Sequence, residues 1–229
     1  MRILRSLGYL VTTLVMYLGI PLLGWGLFDL RRFLSLGPRL ACALVVLALG
    51  LSVGWQAFRS PEGTSGGSGR EESRISRQSV VRVIVIALMY VALLFLPFAD
   101  RRKIGVLMGT LWARWVGVVV FSLGVGLVFW SGVALGRLYS GHVTLQEDHH
   151  LITDGPYRYV RHPRYTGAVL LAFGLALTFR SWVGLVGSTA FIGIILFRIT
   201  DEEALMKEAF GREWDAYCKE TRRLIPFIY

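Results

Sequence analysis

Residues 111–136 read LWARWVGVVVFSLGVGLVFWSGVALG, with one charged side chain, Arg114, near the start. A helix rises about 1.5 Å per residue and the hydrocarbon core of a bilayer is about 30 Å thick, so about 20 apolar residues suffice to cross it. The run lacks the period-2 alternation of a membrane barrel strand, and in lipid a helix satisfies its own backbone groups. Three further runs have the same character: Leu7 to Phe28, Leu40 to Phe58 and Val80 to Ala99. Across the chain 54% of 229 residues are hydrophobic and 17% charged, more apolar than a soluble domain can bury. The fold expected is therefore all-α, an integral membrane helical protein.

The next apolar stretch, Gly167 to Phe197, is interrupted by Arg180-Ser-Trp182. It is too long for one span and short for two. A tight helical hairpin whose arms borrow the ends of the flanking segments accounts for it, with the charged tip near the far interface. The alternative is one long tilted helix with Arg180 snorkelling. With the hairpin there are about six transmembrane segments, followed by a cytoplasmic C-terminal helix. With both termini inside, sixteen Lys and Arg fall in the inner segments and seven in the outer loops, which favours a cytoplasmic placement of both termini. The first apolar run is about twice the usual length of a signal-peptide core and no small-residue cleavage site follows, so a retained first span is expected. The net charge of +10 is explained by basic residues flanking spans beside anionic lipid. No nucleic-acid module is recognisable.

Between the second and third spans, Ser60 to Ser79 contains Gly-Thr-Ser-Gly-Gly-Ser-Gly and a mixed-charge tail. Such a segment cannot bury enough surface to order itself. It divides the chain into an accessory helix pair (1–59), a flexible linker (60–79) and a core (80–229). Cys42 and Cys218 are too separated in this topology for a disulfide framework or a cysteine metal site. Gly24-Trp-Gly26 and Gly124-Val-Gly126 sit within apolar helices with no preceding strand, and read as helix-packing glycines.

The chemistry is concentrated in Gln146-Glu-Asp-His-His-Leu-Ile-Thr-Asp-Gly-Pro-Tyr-Arg-Tyr-Val-Arg-His-Pro-Arg-Tyr-Thr-Gly167, which holds three His, three Tyr and three Arg between two membrane segments. An idle connector is short and built from simple turn residues. Gly155-Pro156 sets a turn, and His162-Pro163 keeps His162 out of helix while Pro163 opens the next one. The rings of Tyr157, Tyr159, His162 and Tyr165 are then presented at the membrane interface, where tyrosines also serve as plain anchors. A second cluster, Arg198-Ile-Thr-Asp-Glu202-Glu203, follows the hairpin. Arg198 and Glu202 share a helical face. They are either a solvated i,i+4 pair or a cation and a carboxylate placed to recognise the two ends of a zwitterion. Met206, Phe210, Trp214 and Tyr217 then recur as one apolar helical face.

These motifs, with His149-His150-Leu151-Ile152 before them and Phe210-Gly-Arg-Glu-Trp-Asp-Ala-Tyr217 after, resemble the isoprenylcysteine carboxyl methyltransferase family, itself related to phospholipid methyltransferases. The resemblance covers roughly Leu135 to Tyr229. It implies a membrane-embedded methyltransferase with S-adenosylmethionine in a pocket closed by the loop, the hairpin and the C-terminal helix, and a lipid-facing opening for an amphiphilic or lipid-linked substrate. Carried over residue by residue, the cofactor contacts fall on Gln146, His149, His150, Leu151, Ile152, Tyr157, His162, Pro163, Arg164, Tyr165 and Glu202, and the substrate-orienting, catalytic arginine on Arg198. The implied partners are the lipid bilayer and that substrate.

Carboxyl O-methylation needs no general base, since a carboxylate is ionised near pH 7. N-methylation of a lipid amine must first remove a proton, and would need a base among His149, His150 and His162. The Arg-His-Pro-x-Tyr element and the ending Leu-Ile-Pro-Phe-Ile-Tyr are also similar to membrane sterol reductases that use NADPH. A non-enzymatic transporter or scaffold would carry polar groups at mid-depth in its spans, which these runs scarcely do. His142, His149, His150 and His162 lack a companion ligand pattern, so no metal is expected.

Overall fold

The structure, a computed structural model, describes residues 2–59, 76–107, 111–135 and 151–225. All regular elements among these residues are helical, joined by two isolated β-bridges. Among the described residues five helical segments are long and apolar enough to cross a membrane: Ser6–Trp25, Gly37–Phe58, Val83–Arg102, Leu111–Leu135 and Trp182–Phe210. The chain is thus an integral, multi-pass helical membrane protein.

The first crossing is built from α1 (Arg2–Leu14), a π-helical turn (Val15–Gly19) and α2 (Ile20–Trp25). Pro21 has no N–H, and its ring crowds the carbonyl one turn earlier; the wider turn takes up that misfit, Ile20 N–H bonding to Val15 O. The crossing stops at Trp25 rather than Phe28 because Gly26 adopts φ 127°, after which the chain forms a single 3-10 turn and the short α3 (Leu30–Leu34). Then follow α4 (Gly37–Arg59), α5 (Ser76–Arg102) and α6 (Leu111–Leu135). α4 packs on α1, where Ser6 Oγ donates to Gly54 O at 2.6 Å.

The stretch after the loop is a hairpin, not one tilted helix: α7 (Pro163–Thr178) turns through Phe179-Arg180-Ser181 into α8 (Trp182–Phe210). Arg180 takes φ 51° at the turn, and Ser181 caps α8 by accepting from Gly184 N at 3.0 Å. α7 has 16 residues, about 24 Å of helix, so it falls short of the hydrocarbon thickness and is not among the five long spans. The tip is not a loose charged end. Arg180 Nη2 lies 3.4 Å from Asp100 Oδ1, and Leu107 N and Trp182 N bond across to Arg180 O and Gly105 O, tying the tip to the α5–α6 connection.

α7 lies against α6 with almost no side chain between them. A Cβ on Gly174 would stand 2.4 Å from Phe121 N, and one on Gly124 would stand 2.7 Å from Leu171 N. Such small-residue seams let helices associate where lipid offers no hydrophobic drive. Of the glycines expected to pack, Gly124 and Gly24 do, the latter against the Leu94 carbonyl; Gly126 faces open space and Gly26 serves the chain reversal. The C-terminal apolar face also differs from expectation. Gly211 at φ 52° ends α8, and α9 (Arg212–Glu220) leaves in a new direction, so Met206 and Phe210 belong to one helix and Trp214 and Tyr217 to another. Cys42 and Cys218 are both free.

Candidate functional site

α7 and α8 are antiparallel, so the start of α7 meets the last turns of α8 at the end of the bundle away from the Arg180 tip. Gly155 (φ 61°) and Pro156 open a single 3-10 turn, and His162 sits outside helix immediately before Pro163 begins α7. Tyr165 follows one turn later. Its hydroxyl accepts from Arg198 Nε at 2.6 Å and donates to Glu202 Oε2 at 2.8 Å. Arg198 and Glu202 are therefore not simply a surface pair one turn apart, because a phenol from the facing helix stands between them.

Glu203, one residue on, faces a different set of partners. Arg161 Nε reaches Glu203 Oε1 at 2.9 Å, Arg223 reaches Oε2 at 2.9 Å through Nε, and His162 Nε2 stands 3.4 Å from Oε1. The same segment is clasped by backbone bonds: Arg161 N to Arg222 O at 2.7 Å and His162 N to Arg223 O at 3.0 Å. Arg161 Nη1 and Thr166 Oγ1 bond to Thr221 O and Leu224 O. Residues 221–224 thus act as a strap over the start of α7. Tyr217 of α9 adds an anchor, its hydroxyl donating to Tyr157 O at 2.7 Å; burial pushes the Tyr217 phenol up, so it stays protonated as that donor. Burial likewise raises the Cys218 thiol, which makes it a poor nucleophile.

Of the candidate residues, the structure brings together His162, Pro163, Tyr165, Arg198 and Glu202 at one helix junction. His162, Pro163 and Tyr157 are buried, while Tyr159 is 54% exposed, so the loop's rings are not all displayed at the surface as the sequence suggested. Arg164 is half-buried beside them, and Leu151 and Ile152 are half-buried in the irregular run before Gly155. Gln146, His149 and His150 lie outside the described residues, as do residues 60–75 of the linker and the ending Pro226 to Tyr229. Among the described residues no group of three or more His, Cys, Asp or Glu could hold a metal ion. Sequence reasoning missed Arg161, Glu203, Thr221 and Arg223. An adjacent carboxylate pair was a visible signal, but neighbouring helical positions point about 100° apart and only the partners show which one faces which way.

Residues 112–213 match the family described as phospholipid methyltransferase. The chain is 38% identical over 87 residues to the protein-S-isoprenylcysteine O-methyltransferase of Schizosaccharomyces pombe, which is 36% of this chain and 35% of that protein. It is 24% identical over 158 residues to protein-S-isoprenylcysteine O-methyltransferase B of Arabidopsis thaliana, 67% of this chain and 76% of that one. It spans 61% of the length of two Oryza sativa relatives to which it is 30% identical. A solved structure of the eukaryotic intramembrane Ras methyltransferase, isoprenylcysteine carboxyl methyltransferase, aligns over 98% of this chain and 94% of its own with 17% identity and a TM-score of 0.48.

Proposed function

We propose, from the match of residues 112–213 to the phospholipid methyltransferase family, that this protein is a membrane-embedded methyltransferase that uses S-adenosylmethionine to methylate the carboxylate of an amphiphilic or lipid-linked acceptor. The observation that carries the reading is the Arg198–Tyr165–Glu202 line, which sets a cation and a carboxylate on either side of one phenol. Glu202 is half-buried and joined to Tyr165 through Oε2 alone in that line. A carboxylate has about four acceptor sites, so capacity remains for an ammonium, and the residues present fit the amino-acid head of such a donor. When bound, S-adenosylmethionine supplies an electrophilic methyl on its sulfonium. Glu202 holds the ammonium, and Tyr165 keeps Glu202 and Arg198 in register. Arg198 orients the acceptor carboxylate in the planar fork of its guanidinium.

A carboxylate acceptor needs alignment rather than deprotonation. His162, the described histidine of this junction, is turned to Glu203, which favours carboxyl O-methylation over amine N-methylation. We assign residues 1–59 to an accessory helix pair, 60–79 to a linker whose last four residues already form the start of α5, and 80–229 to the catalytic core, with the Tyr165 end facing the cytoplasm.

S-adenosylhomocysteine is expected to raise the thermal midpoint of the detergent-solubilised protein, because a ligand that binds only the folded state stabilises it by mass action. NADPH is expected to leave it unchanged. The reverse pattern means a reductase, and no shift with either means the reading is wrong. For topology, single cysteines placed in the 60–79 linker and at position 222, in a background lacking Cys42 and Cys218, should react with an impermeant thiol reagent only after the membrane is opened. Labelling of either site in intact cells reverses the orientation.

A further inference from the structure

Asp100, on the last turn of α5, is 2% exposed at its side chain and faces three arginines from three other elements. Arg114 of α6 holds it with both terminal nitrogens, Nη2 to Oδ1 at 2.6 Å and Nη1 to Oδ2 at 2.9 Å. Arg180 from the hairpin tip stands 3.4 Å from Oδ1, and Arg39 of α4 stands 3.9 Å from Oδ2. One carboxylate thus meets three guanidinium groups, leaving two positive charges uncompensated among the described residues of this cluster. Asp29, the other carboxylate of this end, lies against Arg101 at 3.2 Å and Arg32 at 4.0 Å.

The hydrogen-bond inventory is short of acceptors as well. Arg114 Nη1 also bonds to Thr178 O at 2.8 Å and Arg39 Nη2 to Arg32 O at 3.3 Å. Arg39 Nε, Arg39 Nη1 and Arg180 Nε are buried with no hydrogen-bond partner among the described residues. Trp25 Nε1 is in the same condition, and the Arg39 guanidinium lies 4.0 Å from the centroid of the Trp25 ring. Arg39 is 7% exposed overall. Cation–π contact offsets part of the cost of burying its charge but accepts none of its N–H groups. Unpaired buried donors carry a full desolvation cost, and charged ones more. Native structures seldom keep several such donors side by side without an acceptor to serve them.

We propose that this cluster is a binding site for a phosphate-bearing anion, the chemistry a phospholipid headgroup presents. Guanidinium forks match phosphate oxygens in geometry and charge. The cluster sits at the ends of α4, α5 and α6 and at the α7–α8 turn, the level at which headgroups meet helix termini. Arg180, with 26% of its side chain exposed, provides the approach. The surrounding segments 26–40, 98–115 and 179–182 carry eight Lys and Arg against two Asp, which draws anions to this end. The site is separate from the Tyr165 junction by the length of α7, about 24 Å. It is independent of the methyltransferase reading.

The test uses the full chain in an uncharged detergent and reads the thermal midpoint against increasing dioctanoyl phosphatidic acid, dioctanoylglycerol or inorganic phosphate. Phosphatidic acid is expected to raise the midpoint saturably while dioctanoylglycerol does not. Arg180→Gln and Arg39→Lys, which remove a charge and a fork respectively, are each expected to weaken that binding about tenfold or more. Lys103→Gln, an exposed charge on the same end, should leave it unchanged. An equal response to inorganic phosphate assigns the site to the free ion, and a response to the lipid alone assigns it to a headgroup. The proposal is overturned if neither phosphate source shifts the midpoint, if dioctanoylglycerol works as well, or if Lys103→Gln weakens binding as much as the two arginine variants. Arg39→Lys keeps the buried charge, so it decides the matter should Arg180→Gln fail to fold.

Discussion

Glu202→Gln is expected to weaken S-adenosylmethionine binding about ten- to a hundredfold, the loss that follows when a charge-assisted contact of about 1.5–3 kcal/mol is removed. The amide can still accept from the Tyr165 hydroxyl, which now donates to Glu202 Oε2 at 2.8 Å, so the junction itself should survive. Arg198→Lys is expected to fail differently. An ammonium preserves the charge but cannot present two parallel N–H groups to a carboxylate, so cofactor binding should persist while turnover falls. Tyr165→Phe removes the group that both residues touch and should depress affinity and turnover together. Cofactor affinity by calorimetry, methyl transfer from labelled donor and a melting curve for each variant separate these outcomes. If all three variants bind and turn over like the parent, Arg198 and Glu202 form an ordinary surface network and the site lies elsewhere.

The second large effect concerns the seam between α6 and α7. Gly174→Ala places a methyl group where Phe121 N, Cα and Cβ stand at 2.4, 2.6 and 2.7 Å, and two of these atoms are helix backbone that cannot rotate away. The helices must part, which costs about 3 kcal/mol by analogy with overpacked cores. Because α7 carries Tyr165 and packs beside α8, the candidate site should be lost with the seam. Gly126→Ala, on the same helix α6 with nothing within 4 Å, is the control. There the change removes only the entropic penalty of glycine in a helix, and the midpoint should rise slightly or stay level. Equal melting of the two variants would mean that α6 and α7 do not approach as closely as the structure shows.

The sequence by itself determined the class of protein and the long spans, because each is written locally. A run of about 20 apolar residues declares a crossing whatever its neighbours do, whereas Arg180-Ser181 between two apolar arms allowed a hairpin or one tilted helix until the structure showed the turn. Pro163 fixed the start of α7 and Gly155-Pro156 the turn before it, since both act on their own backbone. Where local signals conflicted, the reading slipped: Gly211 broke a stripe that helical spacing alone had joined, and Gly26 ended a crossing that apolarity alone had extended to Phe28.

What only the tertiary structure decided is which charged groups meet. Glu202 and Glu203 are equivalent in the sequence, yet one turns to Tyr165 and the other to Arg161, His162 and Arg223, residues 20 to 42 positions away. Asp100 looked like the edge of a span until α4, α6 and the hairpin tip brought Arg39, Arg114 and Arg180 to it. Periodicity records how a side chain faces lipid or its own helix. The partner of a buried charge is set by helix packing, and in this protein the glycine seam between α6 and α7 and the 221–224 strap do the placing.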